Sequence, residues 1–120
     1  MIQCLFVGIG GFIGCVCRYL IGLLPYKMEN GFPIKTLIIN VVGAFLISLF
    51  ATFVTKGKIT NTNIELMLKV GICGGFTTFS TFAFESTGLM NQGNYFTAIT
   101  YIIISVVLGV MAVLAGQYIV

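Results

Sequence analysis

The stretch Gly71-Ile72-Cys73-Gly74-Gly75-Phe76-Thr77-Thr78-Phe79-Ser80-Thr81-Phe82 decides how this chain is read. It lies inside an apolar segment, residues 64–89, long enough to cross the roughly 30 Å of bilayer hydrocarbon. A continuous lipid-facing helix has no use for adjacent glycines, each about 1 kcal/mol worse than Ala in a helix interior, followed by paired threonines. The pattern predicts a helix interrupted near Gly75. Its freed carbonyl and amide groups must then find partners inside the protein or beside a cavity or ion, because lipid offers none. Phe79 and Phe82, three residues apart, share a face. Their ring edges carry the positive end of the aromatic quadrupole and can meet an anion. Plain packing is the other reading of the same spacing, and both stand. Glu85, one turn past Thr81, falls near the end of the segment, which suits a wetted pore mouth better than a mid-depth proton carrier.

Working outward, residues 2–24, 34–54 and 96–119 are also long and apolar enough to span. The links between the four segments hold nearly all the helix breakers and charges. The whole chain, 1–120, therefore reads as a single four-helix transmembrane domain. Composition supports this: 58% of residues are hydrophobic and only 8% charged, a third of the usual charged share. A soluble protein of 13.0 kDa cannot hide so much apolar surface. The first segment is too long for a signal peptide and no positive residue precedes it. The net charge of +3 is scattered singly, which excludes a nucleic-acid partner. No His is present, so Ser-His-Asp and Cys-His chemistry are excluded. Cys4, Cys15, Cys17 and Cys73 all lie in apolar runs and read as small buried hydrophobes rather than metal ligands.

The basic residues balance. Lys56, Lys58 and Lys69 fall toward the face that bears the termini, and Lys27, Lys35 and Arg18 toward the other. With three against three the positive-inside rule has nothing to act on. Insertion in both orientations is expected, and an antiparallel homodimer about a two-fold axis in the membrane plane. A single orientation set by a weak determinant such as the terminal amine is the competing expectation.

In the first segment Gly8-Ile9-Gly10-Gly11-Phe12-Ile13-Gly14 is no dinucleotide fingerprint, since Ile13 stands where the third glycine belongs. Gly10 and Gly14 instead form a small-xxx-small pair for close helix packing. Arg18, one turn further, snorkels to the headgroups or lines a water-filled vestibule. In the second segment Thr36, Asn40 and Gly43 share a face. Asn40 near mid-depth either makes an interhelical hydrogen bond or offers an amide N–H to an ion path. In the fourth, Thr97, Tyr101, Ser105 and Gly109, then Ala112 and Gly116, form a stripe that serves tight packing or a hydroxyl-lined path.

Together these residues resemble the Fluc/CrcB family of fluoride channels (camphor-resistance CrcB-like proteins). The likeness covers nearly the whole chain. It rests on the Gly71–Phe82 string with Glu85, on Gly10, Gly11 and Gly14 leading to Arg18-Tyr19, and on Pro33 ahead of Thr36-Leu37-Ile38-Ile39-Asn40 with Gly43. The resemblance implies a dual-topology antiparallel homodimer in the inner or plasma membrane, with two pores for passive export of cytoplasmic fluoride. It implies pore roles for Asn40, Phe79 and Phe82, and a polar track through Thr36, Ser80, Glu85, Tyr101 and Ser105. It further implies a structural Na⁺ held by the Gly74 and Thr77 carbonyls of both subunits, with no organic cofactor. Three positions depart from the family pattern: Lys35 and Ser48 stand where Gly is common, and Gly109 where a hydroxyl is often found. Two rival readings are a dual-topology, proton-coupled multidrug exporter, which wants an acid deep in the first helix, and a non-conducting membrane scaffold subunit.

Overall fold

A bilayer crossing must satisfy every backbone polar group within its own segment, and a helix does so. The computed structural model describes residues 1–119, and its regular elements are all helical. Helix α1 is Ile2–Gly22 and α2 is Ile34–Thr55. The third crossing is composite. It comprises α3 (Thr62–Leu66), a widened π-helical turn over Met67–Cys73, α4 (Gly74–Phe76) and α5 (Phe79–Asn91). Helix α6 is Tyr95–Ile119. Four stretches are long and apolar enough to cross a membrane: α1, α2, the composite Thr62–Asn91, and α6. At 1.5 Å per residue, 21 residues reach about 32 Å.

The ends are set by recognisable chemistry. Asn61 caps α3 by accepting from the amides of Asn63 and Ile64. Helices α2 and α5 close in the same way, with Gly57 and Gly93 at φ of +76° and +82°. At the second of these, Gly93 N donates to Met90 O and Asn94 N to Leu89 O, the two bonds that satisfy the last carbonyls of a helix.

Helix α1 packs on the third crossing through glycine. A Cβ at Gly10 would run into the Met67 carbonyl and one at Gly14 into the Ile72 carbonyl. On the facing side, Gly71 and Gly75 leave no room for a side chain against the carbonyls of Val7 and Gly11. Gly74 and Gly75 are thus both helical, and Gly75 at least is glycine because α1 lies against it. The extended backbone comes two residues later than the sequence suggests, at Thr77 (ψ 157°) and Thr78 (ψ 112°).

The small core gathers Leu37, Leu89, Ala98 and Tyr101, with Phe32 and Phe82 against it. Large apolar residues such as Phe12, Ile103 and Val106 face outward. Of the four cysteines only Cys73 is buried; Cys4, Cys15 and Cys17 are exposed, so the expectation of four buried fillers fails for three. Cys4 and Cys17 are exposed on α1, where apolar side chains need no interior cover in lipid, and Cys15 lies against Gly75 with its Sγ toward Arg18.

Candidate functional site

The extended pair Thr77–Thr78 organises the site. Thr78 is the cap of α5: its hydroxyl accepts from the Thr81 amide at 3.2 Å. Asn40 on α2 grips the backbone of the same residue twice. It accepts from Thr78 N through Oδ1 at 2.8 Å and donates through Nδ2 to Thr78 O at 3.1 Å. The side-chain amide therefore gives the Thr78 N–H the partner that its extended backbone gives up, and adds a donor to the Thr78 carbonyl.

Two cavities meet at Thr78. The smaller, about 390 Å³, is walled by Asn40 and Gly43 of α2, by Gly74, Thr77, Thr78, Phe79 and Phe82 of the third crossing, and by Ser105 of α6. Phe79 is 79% exposed, and its ring lies 5.8 Å from that of Phe82. The Ser105 hydroxyl is buried on this wall with no hydrogen-bond partner. The larger cavity, about 830 Å³, is walled by Arg18, Lys27, Lys35, Thr36, Thr81 and Glu85 among others. Three cations stand there against one carboxylate. Arg18 Nε donates to Gly75 O at 3.1 Å, which satisfies one carbonyl near the end of α4.

Of the residues singled out from the sequence, Asn40, Phe79, Phe82, Ser105, Gly74 and Thr77 converge on the smaller cavity, and Arg18, Thr36 and Glu85 on the larger. Tyr101 lies between helices, with 0% exposure. It donates to Glu85 Oε1 at 3.1 Å, and its ring meets that of Phe82 edge-on at 5.1 Å. Ser80 lines neither cavity: it is exposed, with its hydroxyl 3.4 Å from that of Thr78. Sequence reasoning missed Thr78 as an individual site residue. A Thr directly before a helix restart is the capping signal that marks it.

The three departures also acquire partners or space. Ser48 donates to the Val113 carbonyl on α6 and fills the gap left by Gly116. Lys35 Nζ donates to Gly22 O and Leu24 O, at the carbonyl end of α1. Gly109 faces open space.

A hard cation at the Gly74 and Thr77 carbonyls is chemically suited to this backbone, since such ions take oxygen ligands. The Thr78 amide that would complete the helical ladder to Gly74 is given to Asn40 instead. The Thr81 amide that would reach Thr77 is given to the Thr78 hydroxyl. Both carbonyls are left with acceptor capacity. Among the described residues no cluster of His, Cys, Asp or Glu offers a rival metal site.

Four long apolar helices, with open cavities between them that carry a few polar groups, define an all-α, multi-pass membrane protein. The family description "CrcB-like protein, Camphor Resistance (CrcB)" matches residues 5–117, and the chain belongs to that family. It is 45% identical over 93% of its length to the "Fluoride-specific ion channel FluC" of Phocaeicola vulgatus, of which it covers 93%. Proteins of the same name from Hydrogenobaculum sp. and Ruminiclostridium cellulolyticum are 40% and 41% identical, over 92% and 98% of this chain and 90% and 91% of their own lengths. The chain is thus a transport protein and not an enzyme.

Proposed function

We propose that the chain is a fluoride-selective channel for passive export of cytoplasmic fluoride across the cell membrane. The observation that carries this reading is the smaller cavity. Its wall combines the Asn40 amide, the Ser105 hydroxyl and the Phe79 and Phe82 rings, with no Lys or Arg among the residues described there. Fluoride is small and strongly hydrated, so a narrow path must replace its water with many fixed donors. An amide nitrogen carries two N–H groups, and Asn40 gives one to Thr78. The second N–H, the Ser105 hydroxyl and the positive ring edges can hold an anion without the deep well that a buried cation would create. The names of the relatives agree with this reading.

In the proposed mechanism an anion gathers in the larger cavity near Arg18, passes Thr36 and the Glu85–Tyr101 pair, and crosses the Asn40–Phe79–Phe82 region. Ser80, exposed beside Thr78, offers its hydroxyl to the same track. A potential of 100 mV acts on one charge with about 2.3 kcal/mol, enough to drive an anion outward without coupled energy. The working unit is an antiparallel homodimer of two oppositely inserted four-helix domains, 1–120, with two pores and the third crossing interrupted at mid-depth. The balanced charges, the open smaller cavity and the extended Thr77–Thr78 pair support this arrangement. A structural Na⁺ at the dimer centre would take the Gly74 and Thr77 carbonyls of each subunit and fix their orientation.

Purified protein in fluoride-loaded liposomes tests the proposal. Fluoride efflux is expected to be rapid, absent for chloride, indifferent to a proton gradient, and slowed by Phe79→Ile or Phe82→Ile. Proton-driven export of organic cations, or no flux at all, would replace the proposal with the exporter or the scaffold.

A further inference from the structure

The linker between α1 and α2 contains Pro25 and Pro33. Its ends continue the hydrogen bonding of the two helices, through Leu23 and Leu24 on one side and Phe32 and Pro33 on the other, and between them Gly31 N donates to Met28 O and Phe32 N to Asn30 Oδ1. Two side chains also tie it to the helices. At its far end the Phe32 ring meets Tyr101 edge-on at 5.5 Å. At its near end the half-buried Lys35, in the first turn of α2, donates from Nζ to Gly22 O at 2.9 Å and to Leu24 O at 3.1 Å. The last turn of α1 has no basic residue of its own, so Lys35 supplies from another helix the cation that a carbonyl end favours.

The position of this bond matters because Arg18 of α1 and Thr36 of α2 are both walls of the larger cavity, and Lys35 spans between their helices. We propose that Lys35 is a positioning residue that clamps the carbonyl end of α1 to the start of α2. It thereby sets the mouth of the larger cavity and the rate at which an anion gains access to it. The rate element rests on the fluoride reading above; the clamp itself does not.

Lys35 also carries charge, and a steering charge predicts a different signature from a clamp. Steering fades as salt screens it, with a Debye length of about 30 Å at 0.01 M and about 3 Å at 1 M. A clamp acts through two short bonds to carbonyls, so salt weakens its effect without abolishing it. The experiment compares the parent protein, Lys35→Met and Lys35→Arg as full chains in liposomes. Fluoride efflux is measured at low and high ionic strength, and amide hydrogen exchange is followed over residues 23–33 and over α6.

Lys35→Met is expected to exchange about threefold faster over residues 23–33, with α6 unchanged, and to alter efflux at low and at high ionic strength alike in direction. Lys35→Arg, which keeps long-reach donors, is expected to restore both. Unchanged exchange over 23–33 in Lys35→Met would overturn the clamp. Faster exchange with parental efflux, or an efflux difference that vanishes at high salt, would overturn the rate-setting role. Failure of the Lys35→Arg rescue would show that the two carbonyl bonds are not what matters. If the parent passes no fluoride, the fluoride reading fails while the exchange comparison still decides the clamp.

Discussion

Helix α1 meets the third crossing backbone to backbone, whereas α2 meets α5 and α6 through side chains. On the first seam the informative atoms are missing ones: Gly10, Gly14, Gly71 and Gly75 have no Cβ where carbonyls pass. On the second, Asn40 and Ser48 reach across and bond to main-chain atoms of other elements. In lipid there is no hydrophobic force between helices, so close contact and interhelical hydrogen bonds are the available attractions. The first seam is led by close contact, with Arg18 adding one bond to Gly75 O, and the second by hydrogen bonds, with Gly116 adding one close approach to Ser48 and the Phe45 carbonyl. The glycine seam tolerates nothing larger, while the polar seam tolerates truncation in proportion to what each bond satisfies.

The largest effect is expected on the glycine seam. Gly14→Leu would push a side chain into the Ile72 carbonyl and the Phe76 amide, backbone atoms that cannot turn aside. We expect a loss of about 3 kcal/mol, seen as a lower thermal midpoint in detergent or as aggregation during purification. A parental melting curve would mean that the two helices stand further apart. On the polar seam, Asn40→Ala leaves the Thr78 amide and carbonyl without their partner. It is expected to cost about 2 kcal/mol in a reversible unfolding assay and to abolish fluoride flux. Unaltered stability would show that water replaces the amide there. The smallest change is Ser48→Gly. Losing one bond to Val113 is expected to cost about 0.6 kcal/mol and to leave flux at the parental level. A drop in flux would tie the α2–α6 packing to conduction.

The crossings were legible because hydropathy over a span is a sum over some twenty residues, and single exceptions do not disturb it. The observed helix ends lie within two residues of those expected. The Gly10/Gly14 face was legible from spacing, but its partner face was not. Gly71 and Gly75 serve that face, yet a glycine pair in sequence looks the same whether it serves flexibility or close approach. Sequence alone therefore points to Gly75, whereas Gly75 is helical and the extended backbone is that of Thr77 and Thr78. The widened turn at Met67–Cys73, on which the glycines of α1 pack, has no sequence signal of its own. Asn40 was recognisable as costly in lipid, but nothing in a linear pattern shows which backbone group it will meet. The same holds for Lys35, whose partners lie 11 and 13 residues earlier across a turn.

Thr78 forms part of the wall of both cavities. In the proposed channel, water entering the two cavities from opposite faces would make the transmembrane voltage fall mainly near that shared residue rather than evenly along the helices. The electrical thickness of the protein would then be smaller than its physical span. A sizeable share of the roughly 2.3 kcal/mol per 100 mV would be felt by an ion close to that threonine.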